Sequence, residues 1–338
     1  MNGKWYINKG EHGDVVISTR IRLARNIAKY PFPVRLDAEG RQKVFAEVRK
    51  AVQADKSAGF GYIDMSALNR SQAVSLAERH LISPEFAGSN SPGALLLTED
   101  ESVSIMVCEE DHIRLQVMQA GLALQEAYAR ADAIDDALDA RLAYAYDARL
   151  GYLTQCPTNL GTAMRASVML HLPALTRCGQ ISRLAGAVSK LGLIIRGAHG
   201  EGSSPKGDLY QLSNQITLGI TEKAALDNLQ SITLQLVNQE RDARKALLEN
   251  PAESDKVWRA LGILQTARLL SGDEFMELVS LVRLGCAAGM LDTPLEKVNE
   301  LMISMQPATI TAAQGRNLTS QQRDAVRAEQ VRSALAAG

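Results

Sequence analysis

Two kinds of hydrophobic pattern run along the first 250 residues of the chain. Alternating or short apolar runs bounded by turn residues predict strands at 15–23, 165–173, 190–197 and 209–219, with two more in 93–112 joined by the turn TEDES. Helical spacing and composition predict helices at 37–55, 66–83, 113–140 and 221–250. Mixed strands and helices of this kind predict an α+β fold, with helices packed against an antiparallel sheet.

The remaining sequence, from about residue 250, has helical character throughout. Ser271 with Glu274 and Thr319 with Gln322 have the spacing of capping boxes, and Pro294 follows a third cap candidate at Thr293. We therefore expect two domains, an α+β domain at 1–250 and a small all-helical domain at 251–338. The stretch PATITAAQGRNLTS is expected to be a loop before the last helix.

Composition excludes several classes of protein. The formal net charge is −1 and 46% of residues are hydrophobic, which gives no nucleic-acid or acidic-surface signature. Four scattered cysteines without a C-x-x-C pair indicate reduced thiols in a cytoplasmic protein and no zinc site. No apolar run reaches membrane-spanning length and no signal peptide is visible, so we expect no membrane partner.

The segment STRIRLARN points to an anion. In a strand, Arg20 and Arg22 stand on the same side while Ile21 points the other way. Like charges side by side are unfavourable unless something anionic lies between them. The sequence contains no P-loop and no ordinary protein-kinase motif, so any phosphate site must be built differently.

Three further segments carry candidate chemistry, each with a plainer alternative. CEEDHIR (108–114) would place Glu110, His112 and Arg114 on one face if extended; the alternative is a solvated acidic turn capping a following helix, and a metal site is a lesser option. Cys156, in CPTNLGTAMRAS, is either a reactive thiol near Arg165 or a buried structural cysteine. RGAHGEGSSPKGD (196–208) is either a ligand-binding glycine-rich loop or a hairpin connection.

Taken together, the motifs STRIR, EEDHIR, CPTNLGT-x-x-RAS and RG-x-x-GE resemble those of the phosphagen (guanidino) kinases, in the same order and with similar spacing. The resemblance covers residues 12–245. Within that family, ERHLISPEFA, RASVMLHLPAL and SNQITLG are most similar to the bacterial protein-arginine kinases. The resemblance implies a phosphagen-kinase-like antiparallel sheet flanked by helices, followed by the helical domain.

The resemblance also answers the question raised by the paired arginines, because it implies five arginines around the phosphates of Mg-ATP. Guanidinium groups suit this task because they are always charged and bind phosphate oxygens in pairs. His80 corresponds to the family's adenine-side histidine. The implied ATP-binding residues are Ser18, Thr19, Arg20, Ile21, Arg22, His80, Arg114, Arg165, Ala166, Ser167, Val168, Met169, Arg196, Gly197, Ala198, His199, Gly200 and Glu201.

By the same resemblance, Glu110 and Glu201 are the carboxylates that bind the guanidinium of the substrate, and Cys156 is the active-site cysteine beside it. The implied cofactors are ATP and Mg²⁺, with no metal held by the protein alone. The sequence departs from the family at Cys108, where asparagine is usual, and at Ala198 and His199, where an aromatic residue is frequent.

The nature of the acceptor is a separate question. Kinases of free guanidino metabolites carry a helical domain ahead of the STRIR-like strand, whereas 17 residues precede Ser18, so an open site for protein arginine is favoured. RDAVRA near the end resembles a phosphoarginine-binding motif formed by Arg323, Asp324, Arg327 and Ala328. The alternative is a solvated basic face, because Arg323 and Arg327 are i, i+4 neighbours on a helix.

We therefore expect a protein-arginine kinase, with a kinase of free arginine or a related metabolite and an inactive phosphoarginine-binding adaptor as alternatives. The resemblance further implies a homodimer, an activator protein, and a link to Clp proteolysis and the stress response. Protein substrates with exposed arginines are the expected partners, without nucleic acid.

Overall fold

The structure is a computed structural model that describes residues 4–54, 59–197 and 206–336. Ten strands lie in this part of the chain: β1 (Val16–Arg25), β2 (Phe60–Asp64), β3 (Ala94–Thr98), β4 (Val103–Val107), β5 (Ile113–Ala120), β6 (Tyr146–Asp147), β7 (Gly151–Tyr152), β8 (Met164–His171), β9 (Leu193–Gly197) and β10 (Leu209–Asn214).

Eight of the strands form one sheet in the order β2-β3-β4-β5-β1-β8-β10-β9, and β6 with β7 forms a small separate pair. Every neighbouring pair in the large sheet is antiparallel. β1 is therefore a central strand, hydrogen-bonded to β5 on one side and β8 on the other. This position brings the STRIR segment between two other arginine-bearing strands.

Twelve α-helices accompany the sheet in the described residues: α1 (Ala38–Gln53), α2 (Arg70–Glu78), α3 (Pro84–Ala87), α4 (Leu124–Leu142), α5 (Pro173–Arg177), α6 (Ile181–Ser189), α7 (Glu222–Leu248), α8 (Pro251–Thr266), α9 (Gly272–Ala287), α10 (Leu295–Ser304), α11 (Pro307–Ala313) and α12 (Ser320–Leu335). None of these helices is both long and apolar enough to cross a membrane.

One face of the sheet is covered by the main apolar core, and the other bears the polar side chains of β1, β5 and β8 but is covered at β3 and β4 by a small apolar cluster with α2 and α3. Ile21 and Leu23 of β1 and Val168 of β8 belong to an apolar core shared with α1, α4 and α7. Because side chains alternate along a strand, Arg20 and Arg22 must then emerge on the opposite face. The predicted α+β fold is confirmed: an antiparallel sheet flanked by helices and followed by a helical region.

The C-terminal helices, α8 to α12, pack around a second apolar core that includes Phe275, Val282 and Val331. Ser271 and Thr319 cap α9 and α12 through the side-chain bonds that their spacing predicts. Arg283 of α9 joins this unit to the sheet domain, since its fully buried guanidinium donates to the carbonyl oxygens of Gly13 (2.7 Å) and Asp14 (3.1 Å).

Several element predictions are wrong in detail. The expected helix at 113–140 begins as strand β5, and α4 starts only at Leu124. The predicted loop after residue 306 contains helix α11, for which Pro307 occupies the first turn. The helix expected at 66–83 is shorter, because Asn69 and Gln72 form a capping box that starts α2 at Arg70.

Candidate active site

The cross-strand register brings several of the predicted arginines together on the open face of the sheet. Arg22 of β1 lies opposite Arg165 of β8, and Ala24 lies opposite Arg114 of β5. Arg20 lies opposite Ser167, and its guanidinium donates to Ser167 Oγ (3.4 Å) and to Gln211 Oε1 of β10. The alternation of a central strand thus produces a cluster of positive charge from sequence-distant segments.

Arg196 reaches the same face from the outermost strand, β9. It lies opposite Gln211 in the register of β9 and β10, and Gln211 is the residue that binds Arg20. The side chains of Arg20, Arg22, Arg114 and Arg196 line one cleft of about 1160 Å³. Arg165 is half-buried beside it, so all five predicted arginines lie at this face.

The charges of Arg20 and Arg22 are poorly compensated by the protein itself. Burial and the nearby Arg114 lower the pKa of Arg20 to about 10. The pKa of Arg22 is held well below its ordinary value by burial and by the charges of Arg20, Arg114 and Arg165. The Nε atom of Arg22 is buried without a hydrogen-bond partner among the described residues. An oxyanion in the cleft would supply the missing negative charge and would accept a hydrogen bond from Arg22 Nε.

Arg114 differs because a neighbouring carboxylate neutralises it. Its Nη1 donates to both oxygens of Glu109, at 2.7 and 2.8 Å, and Glu109 also accepts a bond from Ser83 Oγ (2.6 Å). Burial acts to raise the pKa of Glu109, but Arg114 and the bond from Ser83 outweigh it and hold that pKa below its usual value. Sequence reasoning missed this pair because it placed Glu110, not Glu109, beside Arg114.

The cause of that error is the conformation of segment 108–112, which is a tight connection between β4 and β5 instead of an extended chain. Cys108 N donates to His112 O (3.0 Å), and Cys108 has φ of 57°. Asparagine adopts this left-handed conformation more readily than most residues, which gives a physical reason for the family's preference at this position. The alternative interpretation, a turn capping a helix, is also wrong, since strand β5 follows.

Glu110 lies in the middle of this connection and lines the cleft. Its pKa is raised by burial and by the negative charges of Asp111 and Glu109, against the opposing effect of Arg114 and Arg165. A half-buried carboxylate with a raised pKa is a candidate proton acceptor.

Asp111 and His112 are structural. Asp111 Oδ1 accepts bonds from Asn26 Nδ2 (2.6 Å) and Gln155 N (2.8 Å), and His112 Nδ1 accepts one from Ile27 N (3.0 Å). His112 is fully buried and its other ring nitrogen lies 2.9 Å from the carbonyl oxygen of Pro31. No group of three or more metal-ligating side chains occurs in the described ranges.

Cys156 occupies a loop that is fastened by Arg165. The thiol is half-exposed, with Sγ 3.1 Å from Thr158 Oγ1. Arg165 donates to Asn159 Oδ1 (3.2 Å) and Thr158 O (3.3 Å) in this loop, and to the carbonyl oxygens of Asn214 (3.1 Å) and Gln215 (3.0 Å). The arginine thus connects the cysteine loop to the end of β10, and the alternative of a fully buried cysteine is wrong.

The remaining predicted nucleotide-binding residues divide between the two faces of the sheet. The cleft is lined by Ser18, His80, Met169 and Gly197. Ile21, Ala166 and Val168 lie in the core on the other face. Thr19 is also buried, with Oγ1 donating to Gly121 O (2.7 Å) and accepting from Ala123 N (3.0 Å). The three core residues and Thr19 support the strands from behind the cleft.

Four of the predicted residues, Ala198, His199, Gly200 and Glu201, lie outside the described residues. Gln211 is a site residue that sequence reasoning missed. The alternation in LYQLSN would have indicated it, because Gln211 shares the open face of β10 with Ser213 and lies opposite Met169. His80, with φ of 62°, follows α2, and its carbonyl oxygen accepts a bond from Gln116 Nε2 (2.7 Å).

The RDAVRA segment lies on α12, and its two arginines have different environments. Arg327 is 1% exposed and donates to the carbonyl oxygens of Leu270 (2.7 Å) and Met305 (2.9 Å) and to Asp324 Oδ1 (2.8 Å). Arg323 is half-buried and donates to Leu318 O (2.8 Å) and Ser320 Oγ (3.1 Å). A solvated basic face is therefore wrong for Arg327, and Ala328 is buried as well.

Comparisons with known proteins agree with this geometry. Residues 42–243 match the family model described as the ATP:guanido phosphotransferase C-terminal catalytic domain, and residues 252–338 match that of the protein-arginine kinase McsB C-terminal domain. The protein-arginine kinase of Caldanaerobacter subterraneus subsp. tengcongensis is 44% identical, over 95% of this chain and 97% of its own. The protein-arginine kinase of Brevibacillus brevis is also 44% identical, over 98% of this chain and 94% of its own.

Solved structures show the same fold. The duplicated taurocyamine kinase of Schistosoma mansoni, with bound transition state analog components, is 28% identical with a TM-score of 0.61. The match covers 71% of this chain and 34% of that duplicated chain. Lombricine kinase, at 24% identity and a TM-score of 0.61 over 71% of this chain and 68% of its own, shares the fold. With a phosphotransferase domain and the helical domain both matched over nearly the full length of these protein-arginine kinases, the chain belongs to the protein-arginine kinase family of ATP:guanido phosphotransferases.

Proposed function

We propose that this protein transfers the γ-phosphoryl group of Mg-ATP to arginine side chains of other proteins. The observation that carries the proposal is the convergence of Arg20, Arg22, Arg114 and Arg196 on one cleft that Glu110 also lines. Four guanidinium groups far exceed what a neutral ligand requires, and they match a polyphosphate in charge and hydrogen-bonding geometry.

The arginines serve two purposes in this reaction. They bind the triphosphate, and they stabilise the charge on the phosphoryl group during transfer. Arg22 is suited to this because its Nε has no partner in the described part of the chain, so an incoming oxygen need not displace a protein group. Mg²⁺ is usually held by substrate phosphates and water, and we propose that it enters with the nucleotide and neutralises phosphate charge there.

Glu110 would orient the acceptor and take its proton. Free guanidinium has a pKa above 12 and a carboxylate titrates near 4, so prior deprotonation of arginine would cost about 11 kcal/mol. Proton transfer to Glu110 must therefore accompany formation of the N–P bond, as the bond from phosphorus to the departing ADP oxygen breaks. Cys156, and Glu201 by family resemblance, would complete the guanidinium site.

Protein arginine is proposed as the acceptor because both curated relatives above are named protein-arginine kinases and because the chain carries their C-terminal domain. By family resemblance we further propose a cytoplasmic homodimer, controlled by an activator protein, that marks proteins for Clp proteolysis during stress. In the same way, Arg323, Asp324, Arg327 and Ala328 are proposed to bind phosphoarginine.

The test is a transfer assay with Mg-ATP and either casein or free arginine, followed by detection of acid-labile, base-stable phosphate on arginine. Label on casein supports the proposal, and label only on free arginine indicates a metabolite kinase. No label with either, despite phosphoarginine binding, indicates an inactive adaptor.

The matched variants are Glu110→Gln and Glu126→Gln, the second at an exposed position of α4, a helix that packs on the covered face of the sheet. Glu110→Gln is expected to abolish transfer while nucleotide binding survives, and Glu126→Gln is expected to leave both unchanged. Retained turnover in Glu110→Gln would refute its role as proton acceptor.

A further inference from the structure

The arginine-lined cleft continues beyond the arginines, along the strands toward the C-terminal helices. On β1 and β8 the row formed by Arg20 and Ser167 is followed by a row formed by Ser18 and Met169. Gln211 of β10 extends this second row, since it lies opposite Met169. This second row ends at Arg196 of β9, opposite Gln211, so Arg196 keeps a guanidinium group at the far edge, while on β1 and β8 the lining changes from Arg20 to smaller polar and apolar side chains.

At that end, the sheet packs against the C-terminal core. Ile17, Met169 and Leu209 belong to the apolar cluster formed by α8 to α12, and all three line the cleft. The register between β1 and β8 shifts between Val16 and Ser18, which is the signature of a β-bulge. The sheet and the C-terminal helices thus share one apolar surface at this end of the cleft.

The opposite wall comes from α9 and α10. Met276, Met302 and Ile303 line the same cleft as the arginines, and each is 4–6% exposed. Ile303 also contacts Trp5 of the N-terminal segment in a small apolar cluster. The cleft is therefore strongly cationic along the sheet and has an apolar wall from the C-terminal helices, with Lys206 and Gln306 as polar residues near that wall.

Hydrogen bonds connect this wall to the end of α2 in the sheet domain. Glu78, at the end of α2, accepts bonds from Ala308 N (3.0 Å) and Thr309 N (2.7 Å) at the start of α11. His80 lies two residues beyond Glu78 and also lines the cleft. Gln306, between α10 and α11, donates to Met302 O (2.8 Å) and to Met276 Sδ (3.3 Å), which holds the two methionines of the wall in place.

We propose that Met276, Met302 and Ile303 of the C-terminal domain form one wall of the pocket for the nucleotide base, facing Met169 and Ile17 of the sheet. The inference rests on the proposed binding of ATP. A nucleotide joins a polyanion to a flat aromatic ring, and the cleft joins a cationic region to an apolar one in the same way. Methionine sulfur interacts favourably with aromatic rings, so two methionines on this wall suit a base better than they suit a second polar group.

The experiment compares a ligand with a base and a ligand without one. Binding of ADP and of inorganic tripolyphosphate is measured by calorimetry on the full chain and on two variants. Met302→Ala removes a wall residue. Met305→Ala is the matched control, because Met305 is also 5% exposed and in the same apolar cluster but does not line the cleft.

We expect Met302→Ala to weaken ADP binding about 5- to 10-fold and to leave tripolyphosphate binding unchanged. Met305→Ala is expected to leave both unchanged, although each variant loses a similar amount of buried methionine. Met302→Leu, which keeps an apolar side chain of similar volume, is expected to restore most of the ADP affinity. If Met302→Ala is poorly folded, Met302→Gln decides the question, because it keeps the length of the side chain but places a polar amide on the wall. Unchanged ADP affinity in a well-folded Met302→Gln overturns the proposal.

Three other outcomes would contradict the inference. Equal effects of Met302→Ala and Met305→Ala on ADP binding would mean that the loss comes from the fold of the domain. An equal fractional loss of ADP and tripolyphosphate affinity in Met302→Ala would mean that Met302 does not act on the base, while polyphosphate binding, and with it the proposed function, still stands. Binding of neither ligand would refute both.

Discussion

Two groups of arginines, one fully buried in the C-terminal helices and one half-buried in the cleft, differ in how many hydrogen-bond acceptors the protein gives them. Arg283 and Arg327, in the C-terminal helices, direct their guanidinium groups at carbonyl and side-chain oxygens of the protein. Arg20 and Arg22, in the cleft, have few such partners, and Arg22 Nε has none among the residues described. Arg283 joins α9 to the sheet domain and Arg327 joins α12 to other C-terminal segments, whereas the second group is left with unused hydrogen-bonding capacity.

The pKa does not separate these two groups. Burial and nearby charge lower the pKa to about 10 for Arg283 as well as for Arg20. What separates them is the number of acceptors that the fold provides. A guanidinium whose donors are already used stabilises the fold, and one with unused donors in an open cleft is available to a ligand.

Arg283→Met should have the largest effect on stability. Arg283 is fully buried, and its loss leaves Asn299 Oδ1, His171 Nδ1 and two carbonyl oxygens without their donor. We expect the free energy of unfolding to fall by about 3–5 kcal/mol, measured by urea denaturation. Arg259→Met, at an exposed position of α8, is the control and should change it by less than about 0.5 kcal/mol. Similar values for the two variants would contradict the structural role of Arg283.

Arg22→Met should lower activity without lowering stability, in contrast to Arg283→Met. We expect kcat/KM to fall about 10²- to 10³-fold, as for loss of a group that stabilises transition-state charge. The free energy of unfolding should stay constant or rise, because a poorly compensated charge close to Arg20, Arg114 and Arg165 is removed. The two measurements are kinetics and urea denaturation on the same preparation. A fall in stability comparable to that of Arg283→Met would remove the distinction between the two groups.

The sequence predicted the cleft group well because that group depends on the alternation of side chains along a strand. Arg20 and Arg22 share a face in any strand, and family resemblance supplied the other three arginines. The arginines that the protein itself satisfies are harder to predict from the sequence. The sequence alone offers a solvated face beside Arg323 as the alternative to phosphoarginine binding for Arg327. It cannot show that Arg327 is buried, because its backbone acceptors, the oxygens of Met305 and Leu270, belong to other elements and leave no pattern in the sequence of α12.

The errors in the fold have a similar physical origin. Residues 113–120 alternate as a strand, but the run of helix-forming residues that follows extended the predicted helix over them. The segment 108–112 was treated as extended because a hairpin connection with Cys108 at φ of 57° has no glycine or asparagine to indicate it. In residues 113–120 and in the segment 108–112, the pairing of β4 with β5 decides the conformation, and the local sequence preference does not.

Variants of Arg323 and Arg327 test, within the proposed phosphoarginine motif, whether an arginine stabilises the fold or binds a ligand. Arg327→Met should lower the free energy of unfolding by about 1.5–3 kcal/mol, because it removes a buried guanidinium that donates to Met305 O, Leu270 O and Asp324 Oδ1. Arg323→Met should change it by less than about 0.5 kcal/mol while weakening phosphoarginine binding, measured by calorimetry. If Arg323→Met binds phosphoarginine as tightly as the unaltered protein, the motif is structural and the proposed binding site is wrong.

Arg114 is intermediate between the two groups, and the pH dependence of activity tests its state. It lies in the cleft, yet Glu109 occupies it with two bonds of 2.7 and 2.8 Å. The pKa of Glu110 is raised by burial and by the charges of Asp111 and Glu109, and Glu110 must be ionised to accept a proton. Activity should therefore fall as the pH drops through an apparent pKa above that of an ordinary glutamate.

Glu109→Gln sharpens this prediction, since it removes one negative charge beside Glu110 and exposes Glu110 to the unpaired positive charge of Arg114. Both changes favour the ionised carboxylate, so the acidic limb of log(kcat/KM) against pH should move to lower pH. Glu126→Gln, at the exposed position on α4, should leave the limb where it is. A limb that stays in place in Glu109→Gln would show that it does not report Glu110, or that Arg114 does not act on Glu110 once its own partner is gone. A limb that moves to higher pH would contradict the electrostatic account of the site, because no removal of negative charge can stabilise the protonated form of a carboxyl group.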